Sequence, residues 1–139
     1  MEKDNNTKKV ILLVDDDEIH LQITELVLSE FYEIHTVKSG KEALEFLNKG
    51  QNVPDLMLLD ILMPEMDGWS LYDKIVDIVS LKFTPIMFYS SLDENNAKER
   101  AYALGAVDFI TKPCERPVLL ERIGKAIQNA ELKKKQYGI

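Results

Sequence analysis

The stretch VILLVDDDEIHLQITELVLSE, residues 10 to 30, decides the fold. Val10 to Val14 is an unbroken aliphatic run, Asp15 to Asp17 an acidic turn, and Glu18 to Glu30 carries apolar residues at helical spacing. A strand with one wet face alternates apolar and polar residues, whereas a run without alternation is what a strand covered by helices on both faces requires. The same grammar recurs along the chain. YEIHTV (32–37) precedes a helix over Lys41 to Asn48, DLMLL (55–59) precedes Trp69 to Val79, PIMFY (85–89) precedes Asn95 to Ala103, and AVDFI (106–110) precedes Val118 to Leu132. Strand–helix units in such succession predict an α/β chain, a doubly wound three-layer sandwich around a parallel sheet.

Several local signals support the helices. Ile19, Ile23 and Leu26/Val27 form one expected inward stripe, Leu71/Tyr72, Ile75 and Val79 another, and Leu119, Ile123 and Ile127 a third. Ser39 with Glu42 and Ser91 with Glu94 have capping-box spacing, so helices are expected to begin just after each serine. Asp17 reads as the N-cap of the first helix.

The chain has 139 residues, 45% of them hydrophobic and 29% charged, which suits one globular domain that needs no disulfide or structural metal. Residues 1–9, MEKDNNTKK, read as a disordered leader, residues 10–132 as the domain, and residues 133–139, KKKQYGI, as a C-terminal tail. The net charge of −7 argues against direct nucleic-acid binding. No run is long enough for a signal peptide core or a membrane span, and the single cysteine, Cys114, fits a reducing, cytoplasmic location.

In such sheets ligands sit beyond the carboxyl ends of the strands. Those ends carry Asp15, Asp16 and Asp17 on the first strand, Asp60 on the third, Ser90 and Ser91 on the fourth, and Thr111 and Lys112 on the fifth. Three carboxylates in one shallow pocket, from Asp15, Asp16 and Asp60, need compensating cations, which Lys112 and one divalent ion would supply. Oxygen-only ligands point to a hard ion, Mg²⁺ most simply, with positions left for water and a phosphoryl group. Taken singly each residue has a bland explanation: an acidic turn caps a helix, a strand-end serine makes a turn, a lysine is solvated. Their joint placement at successive strand ends is what points to chemistry.

From Val10 to about Ala130 the chain resembles the receiver domain of two-component response regulators. The strongest piece is DILMPEMDG, Asp60 to Gly68, which is similar to the family's phosphoacceptor loop. VDD (14–16), PIMFYS (85–90), GAVDF (105–109) and TKP (111–113) match in order and spacing. The resemblance implies a flavodoxin-like (βα)5 fold with sheet order 2-1-3-4-5, an order taken from the family and not read from these residues. It implies a phosphoryl-accepting switch in which Asp60 attacks a phosphohistidine or a small phosphodonor. Asp16, Asp60 and the backbone carbonyl of Leu62 would bind Mg²⁺, with Asp15 acting through a water, and Lys112 would pair first with carboxylate and then with phosphoryl oxygen. The family commonly has a cis peptide before Pro113. Counting from Pro85 selects Ser90 as the hydroxyl that meets the phosphoryl group, leaving Ser91 where the family favours a small residue. Phe109 matches the switch aromatic, with plain core packing as the alternative.

The resemblance also implies partners: a histidine kinase or phosphotransfer protein upstream, an effector domain or protein downstream, and a changed surface near helix 4, strand 5 and helix 5. Lys98, Asp108 and Arg122 stand where one branch of the family places charges for a phospho-dependent homodimer; Val118 departs from that pattern. Cys114 and Tyr89 are unusual at their positions. Leu62 and Leu92 are apolar where fast-hydrolysing members carry polar groups, so slow phosphoryl loss is expected. His20 and His35 have no ligand-spaced partners and read as surface or half-buried, His20 on the side that meets a partner. The competing reading is a haloacid-dehalogenase-like Mg²⁺-dependent phosphatase, since Asp15 to Ile19 resembles its DxDx[T/V] opening. That enzyme needs a further acidic ligand after its lysine, and there is no Asp from Pro113 to Ile139. A third reading, a phosphorylation-silent module, is weakened because every acid, the hydroxyl and the lysine are present.

Overall fold

A computed structural model describes residues 7–49, 53–94 and 96–138. Five strands, β1 (Lys9–Val14), β2 (Tyr32–Val37), β3 (Leu56–Leu59), β4 (Ile86–Ser90) and β5 (Asp108–Thr111), form one parallel sheet in the order 2-1-3-4-5. They alternate with α1 (Glu18–Leu28), α2 (Gly40–Leu47), α3 (Gly68–Ile75), α4 (Ala97–Leu104) and α5 (Arg116–Gln136). The unbroken apolar runs of the inner strands β1 and β3 are explained by two cores, one on each face, whereas the edge strand β2 keeps polar residues. Leu12, Val14, Met57, Leu59, Phe88 and Phe109 face α2, α3 and α4, packing on Ala43, Leu71, Ile75 and Ala101. Their neighbours Ile11, Leu13, Leu56, Leu58, Met87 and Ile110 face α1 and α5, packing on Leu21, Leu28, Leu119, Ile123 and Ile127. The three-layer architecture is as expected, and so is the sheet order implied by the resemblance.

Four local readings are corrected. Ile19, Ile23 and Leu26 are 67%, 53% and 78% exposed, while α1 turns Leu21, Thr24 and Leu28 inward and only Val27 of the expected stripe packs on the core. Residues two apart lie about 200° apart around a helix, so periodicity yields two stripes here and does not say which is buried. Second, α3 stops at Ile75 with Val76 as its C-cap, and Val79, 85% exposed, belongs to a separate 3₁₀ turn, Val79–Leu81. Third, the Ser91–Glu94 capping box does not form. The Leu92 amide turns back to the Ser90 hydroxyl, the chain makes a further turn, and α4 begins at Ala97 behind Asn96, which makes no side-chain cap. Ser39 does cap α2, accepting from the Glu42 amide at 3.1 Å, and Glu42 returns the bond to the Lys38 amide at 2.8 Å.

Fourth, the first strand starts one residue earlier and the last helix ends four residues later than expected. Lys9 pairs with Tyr32 as part of β1, and the lysines at 133 to 135, assigned to a tail, form the last turn of α5. Basic side chains at a helix C-terminus complement its partial negative charge, and Pro117 in the first turn needs no amide partner. Residues 1–6 of the expected leader and Ile139 lie outside the described residues, as does Asn95, taken as the start of the fourth helix. Among the described residues no helix is long and apolar enough to cross a membrane.

Candidate functional site at the carboxyl ends of the strands

Backbone bonds past the regular strands fix the site. The Asp15 amide donates to the Val37 carbonyl (3.2 Å), the Asp60 amide to Val14 (2.9 Å), and the Lys112 amide to Ser90 (2.9 Å). The sheet ladder is thus prolonged by one residue at each end, which sets Asp15, Asp60, Ser90 and Lys112 along one edge. Carboxylate oxygens of Asp15, Asp16 and Asp60 lie within 4.8 Å of one another, with Asp15 and Asp60 buried and Asp16 exposed. One exposed carboxylate over two buried ones leaves the cluster open to solvent on one side only.

Asp15 and Asp60 are each held by a backbone amide and face the same lysine. Asp60 Oδ1 accepts from the Ile61 amide at 2.7 Å, and Oδ2 lies 3.6 Å from Lys112 Nζ. Lys112 also pairs with Asp15 Oδ2, and its side chain is only 9% exposed. Asp15 Oδ1 accepts from the Asp17 amide at 2.9 Å. Burial pushes the Asp15 carboxyl above its ordinary pKa; Lys112 and the Asp17 amide pull it back only in part, and the Asp60 charge adds to the rise. The site is short of positive charge even with its lysine in place. Its donor set, all oxygen and clustered, fits a small hard cation.

The loop after Asp60 shows why its sequence is so constrained. Gly68 donates to the Ile61 carbonyl at 2.9 Å, and a Cβ at Gly68 would stand 2.3 Å from the Asp60 carbonyl oxygen, so no side chain fits. Asp67 caps α3 by accepting from the Ser70 amide at 2.9 Å, and Glu65 takes a left-handed φ of 70° in the turn. The helix start thereby anchors the loop that carries Asp60 and Leu62. Leu62 is 52% exposed at the mouth. The Lys112–Pro113 peptide is cis, as the resemblance implies.

Ser90, rather than Ser91, faces the pocket: it is fully buried, and its hydroxyl accepts from the amides of Ile61 at 3.4 Å and Leu92 at 3.3 Å, whereas Ser91 is exposed. Alternation along β4 sets Ser90 on the same face as Phe88, whose ring lies 6.3 Å from that of Phe109. Phe109 is 2% exposed and already packed inward. Asp17 is the α1 N-cap, its Oδ1 holding the amides of Ile19 and His20. Asp108 and Arg122, expected to meet across a two-fold axis, close on each other within one chain, Nε to Oδ2 at 2.8 Å.

One residue of the site was missed in the sequence. His20 Nδ1 lies 3.3 Å from Lys112 Nζ, although 92 positions separate them. The available signal was its place in the first turn of a helix that starts at the acidic edge.

Comparison with known proteins agrees with this geometry. The family model of the response regulator receiver domain matches residues 11–124. A probable cyclic di-GMP phosphodiesterase of Vibrio cholerae is 33% identical over 133 residues, covering 96% of this chain but 30% of its own length. The chemotaxis protein CheY of Treponema pallidum is 32% identical, with 91% of this chain and 88% of that protein covered. A crystal structure of a response regulator from Chloroflexus aurantiacus superposes with a TM-score of 0.80 at 31% identity, covering 88% of this chain and 99% of that one. This chain therefore belongs to the response regulator receiver domain family, the phosphoacceptor switches of two-component signalling.

Proposed function

We propose that Asp60 is the phosphoacceptor of this switch. The observation that carries the reading is a buried carboxylate with one oxygen held by the Ile61 amide and the other facing a lysine, beside two further acids and an opening to solvent. In the proposed step a carboxylate oxygen of Asp60 attacks phosphorus in line; the P–N bond of a phosphohistidine breaks, the imidazole leaves with its electron pair and takes up a proton, and an acyl phosphate forms. Lys112 is placed to move from carboxylate to phosphoryl oxygen, and the Ser90 hydroxyl to turn from backbone amides toward the phosphoryl group. Asp16, Asp60 and the Leu62 carbonyl would hold Mg²⁺, with Asp15 acting through a water, and the ion would neutralise charge on the transferring group.

The phosphodonor in this reading is a histidine kinase or phosphotransfer protein. The outward stripe of Ile19, Ile23 and Leu26 supports it, since α1 begins at the acidic edge and presents an apolar face beside the pocket. Downstream, Phe109 and the neighbouring α4, β5 and α5 surface pass the change to an effector domain or protein, and a phospho-dependent homodimer through that surface belongs to the same reading. The setting is the cytoplasm. No direct contact with nucleic acid or membrane is part of it.

Incubation with a small acyl phosphate and Mg²⁺ should add one phosphoryl group, read as a mass shift. Asp60→Asn should take none, and EDTA should stop labelling of the parent. Equal labelling of the Asn variant overturns the assignment; catalytic release of phosphate from a generic phosphomonoester would favour the phosphatase instead.

A further inference from the structure

We propose that His20 is a positioning residue for Lys112, a third acceptor that keeps the ammonium aimed into the pocket; this rests on the reading of Asp60 as the phosphoacceptor. The Lys112 ammonium has three protons and no lone pair, so at each contact it can only donate. Its partners are Asp15 Oδ2, Asp60 Oδ2 at 3.6 Å and His20 Nδ1 at 3.3 Å. At the His20 contact the acceptor must therefore be the Nδ1 lone pair. The Tyr89 ring, 5.4 Å from Nζ to its centroid, flanks the same ammonium.

The three acceptors are not equivalent. Asp15 and Asp60 both belong to the acidic trio, and any cation or phosphoryl group arriving there competes for the same oxygens. His20 is outside the trio. It is carried by α1, whose first turn is held by Asp17 accepting from the His20 amide at 3.2 Å, and the same Nδ1 lies 3.8 Å from Asp17 Oδ2, too far for a hydrogen bond. When Lys112 gives up Asp15 to meet a phosphoryl oxygen, a fixed acceptor on α1 spares the ammonium a swing into solvent. The geometry favours transfer by orienting Lys112, not by touching the reacting atoms.

The imidazole Nδ1 and the Asn Oδ1 are both bonded to Cγ, so His20→Asn keeps an acceptor near the same place, while His20→Ala removes it. Two measurements apply to the folded full chain. In metal-free protein, acetic anhydride modification of Lys112, read by peptide mass spectrometry against exposed Lys74, reports how well the amine is held. Labelling by a small acyl phosphate reports its use. We expect His20→Ala to acylate faster at Lys112 and to label about three- to tenfold more slowly with the same final extent, the size set by the net worth of one ordinary hydrogen bond at a half-exposed site. His20→Asn should return both towards the parent. An Ala variant equal to the parent in either measurement, or an Asn variant as impaired as Ala, overturns the proposal. If the parent itself takes no label, the phosphoacceptor reading fails, and the acylation comparison alone still decides whether His20 holds Lys112.

Discussion

At Leu62 and Leu92 the residue scale sets a rate. Leu62 is 52% exposed at the mouth of the pocket, and Leu92 follows Ser90 closely enough for its amide to bond the Ser90 hydroxyl. Neither side chain can orient an attacking water, so Leu62→Asn combined with Leu92→Glu should shorten the lifetime of the phosphorylated protein, followed as loss of the added mass. An unchanged decay would show that hydrolysis is controlled elsewhere. Gly68 shows what was legible at this scale: the glycine was visible in the loop motif, but its reason, a carbonyl 2.3 Å from where a Cβ would stand, needed coordinates. Ser90 comes from counting along the fourth strand, and the fold sets its hydroxyl 3.4 Å from the Ile61 amide that also bonds Asp60. His20 is exposed, within the surface or half-buried reading, but its contact with Lys112 is not legible, because nothing in its neighbourhood along the chain predicts a lysine 92 positions away.

α1 is the element where pattern and packing disagreed. Ile19, Ile23 and Leu26 have the spacing of a core stripe, yet Leu21, Thr24 and Leu28 fill the space against β1 and α5. Substitution separates the two faces. Leu21→Ala should cost about 2–5 kcal/mol by leaving a cavity, whereas Leu26→Asp should stay within about 0.5 kcal/mol in stability, both read from urea unfolding. Leu26→Asp should instead slow labelling by a histidine phosphotransfer partner while leaving labelling by a small acyl phosphate as in the parent. If both donors slow equally, the outward stripe is not a docking face. Asp67 adds a smaller case: Asp67→Ala should lose about 1 kcal/mol as the α3 cap is removed.

Over the whole molecule, the Asp108–Arg122 pair ties the start of β5 to α5 and links stability to pH. Burial pushes the Asp108 carboxyl up, but Arg122, the Phe109 amide and the Tyr102 hydroxyl outweigh it, and the group lies below its ordinary value. A depressed carboxyl contributes stability that is whole above the unfolded pKa of about 4 and is lost as pH falls through the folded value. Asp108→Asn should therefore lower stability at neutral pH and flatten the acid limb below pH about 4, seen in denaturation midpoints against pH. The same pair bears on association. Because both partners are satisfied within one chain, exchanging them between two copies gains no net ion pair. Association through this face must rest on exposed Tyr102, Leu104, Val107 and Val118. Sedimentation with and without a beryllofluoride mimic checks the homodimer: it should form only with the mimic and be lost in Val107→Asp, and a monomer in both forms removes it.

The doubly wound class follows from the chain alone, because inner strands without polar alternation, each followed by an amphipathic helix, fit a sheet covered on both faces, and the acids, serines and lysine at the strand ends follow from reading where each run stops. Those are local or periodic properties, carried by neighbours in sequence. Only the tertiary structure decides which stripe of α1 faces in, that α5 runs on to Gln136, that Asp108 and Arg122 meet within one copy, and that His20 reaches Lys112. Each of these depends on the phase or length of one element against another distant in sequence, and hydrophobic periodicity fixes the repeat of a pattern without fixing its phase.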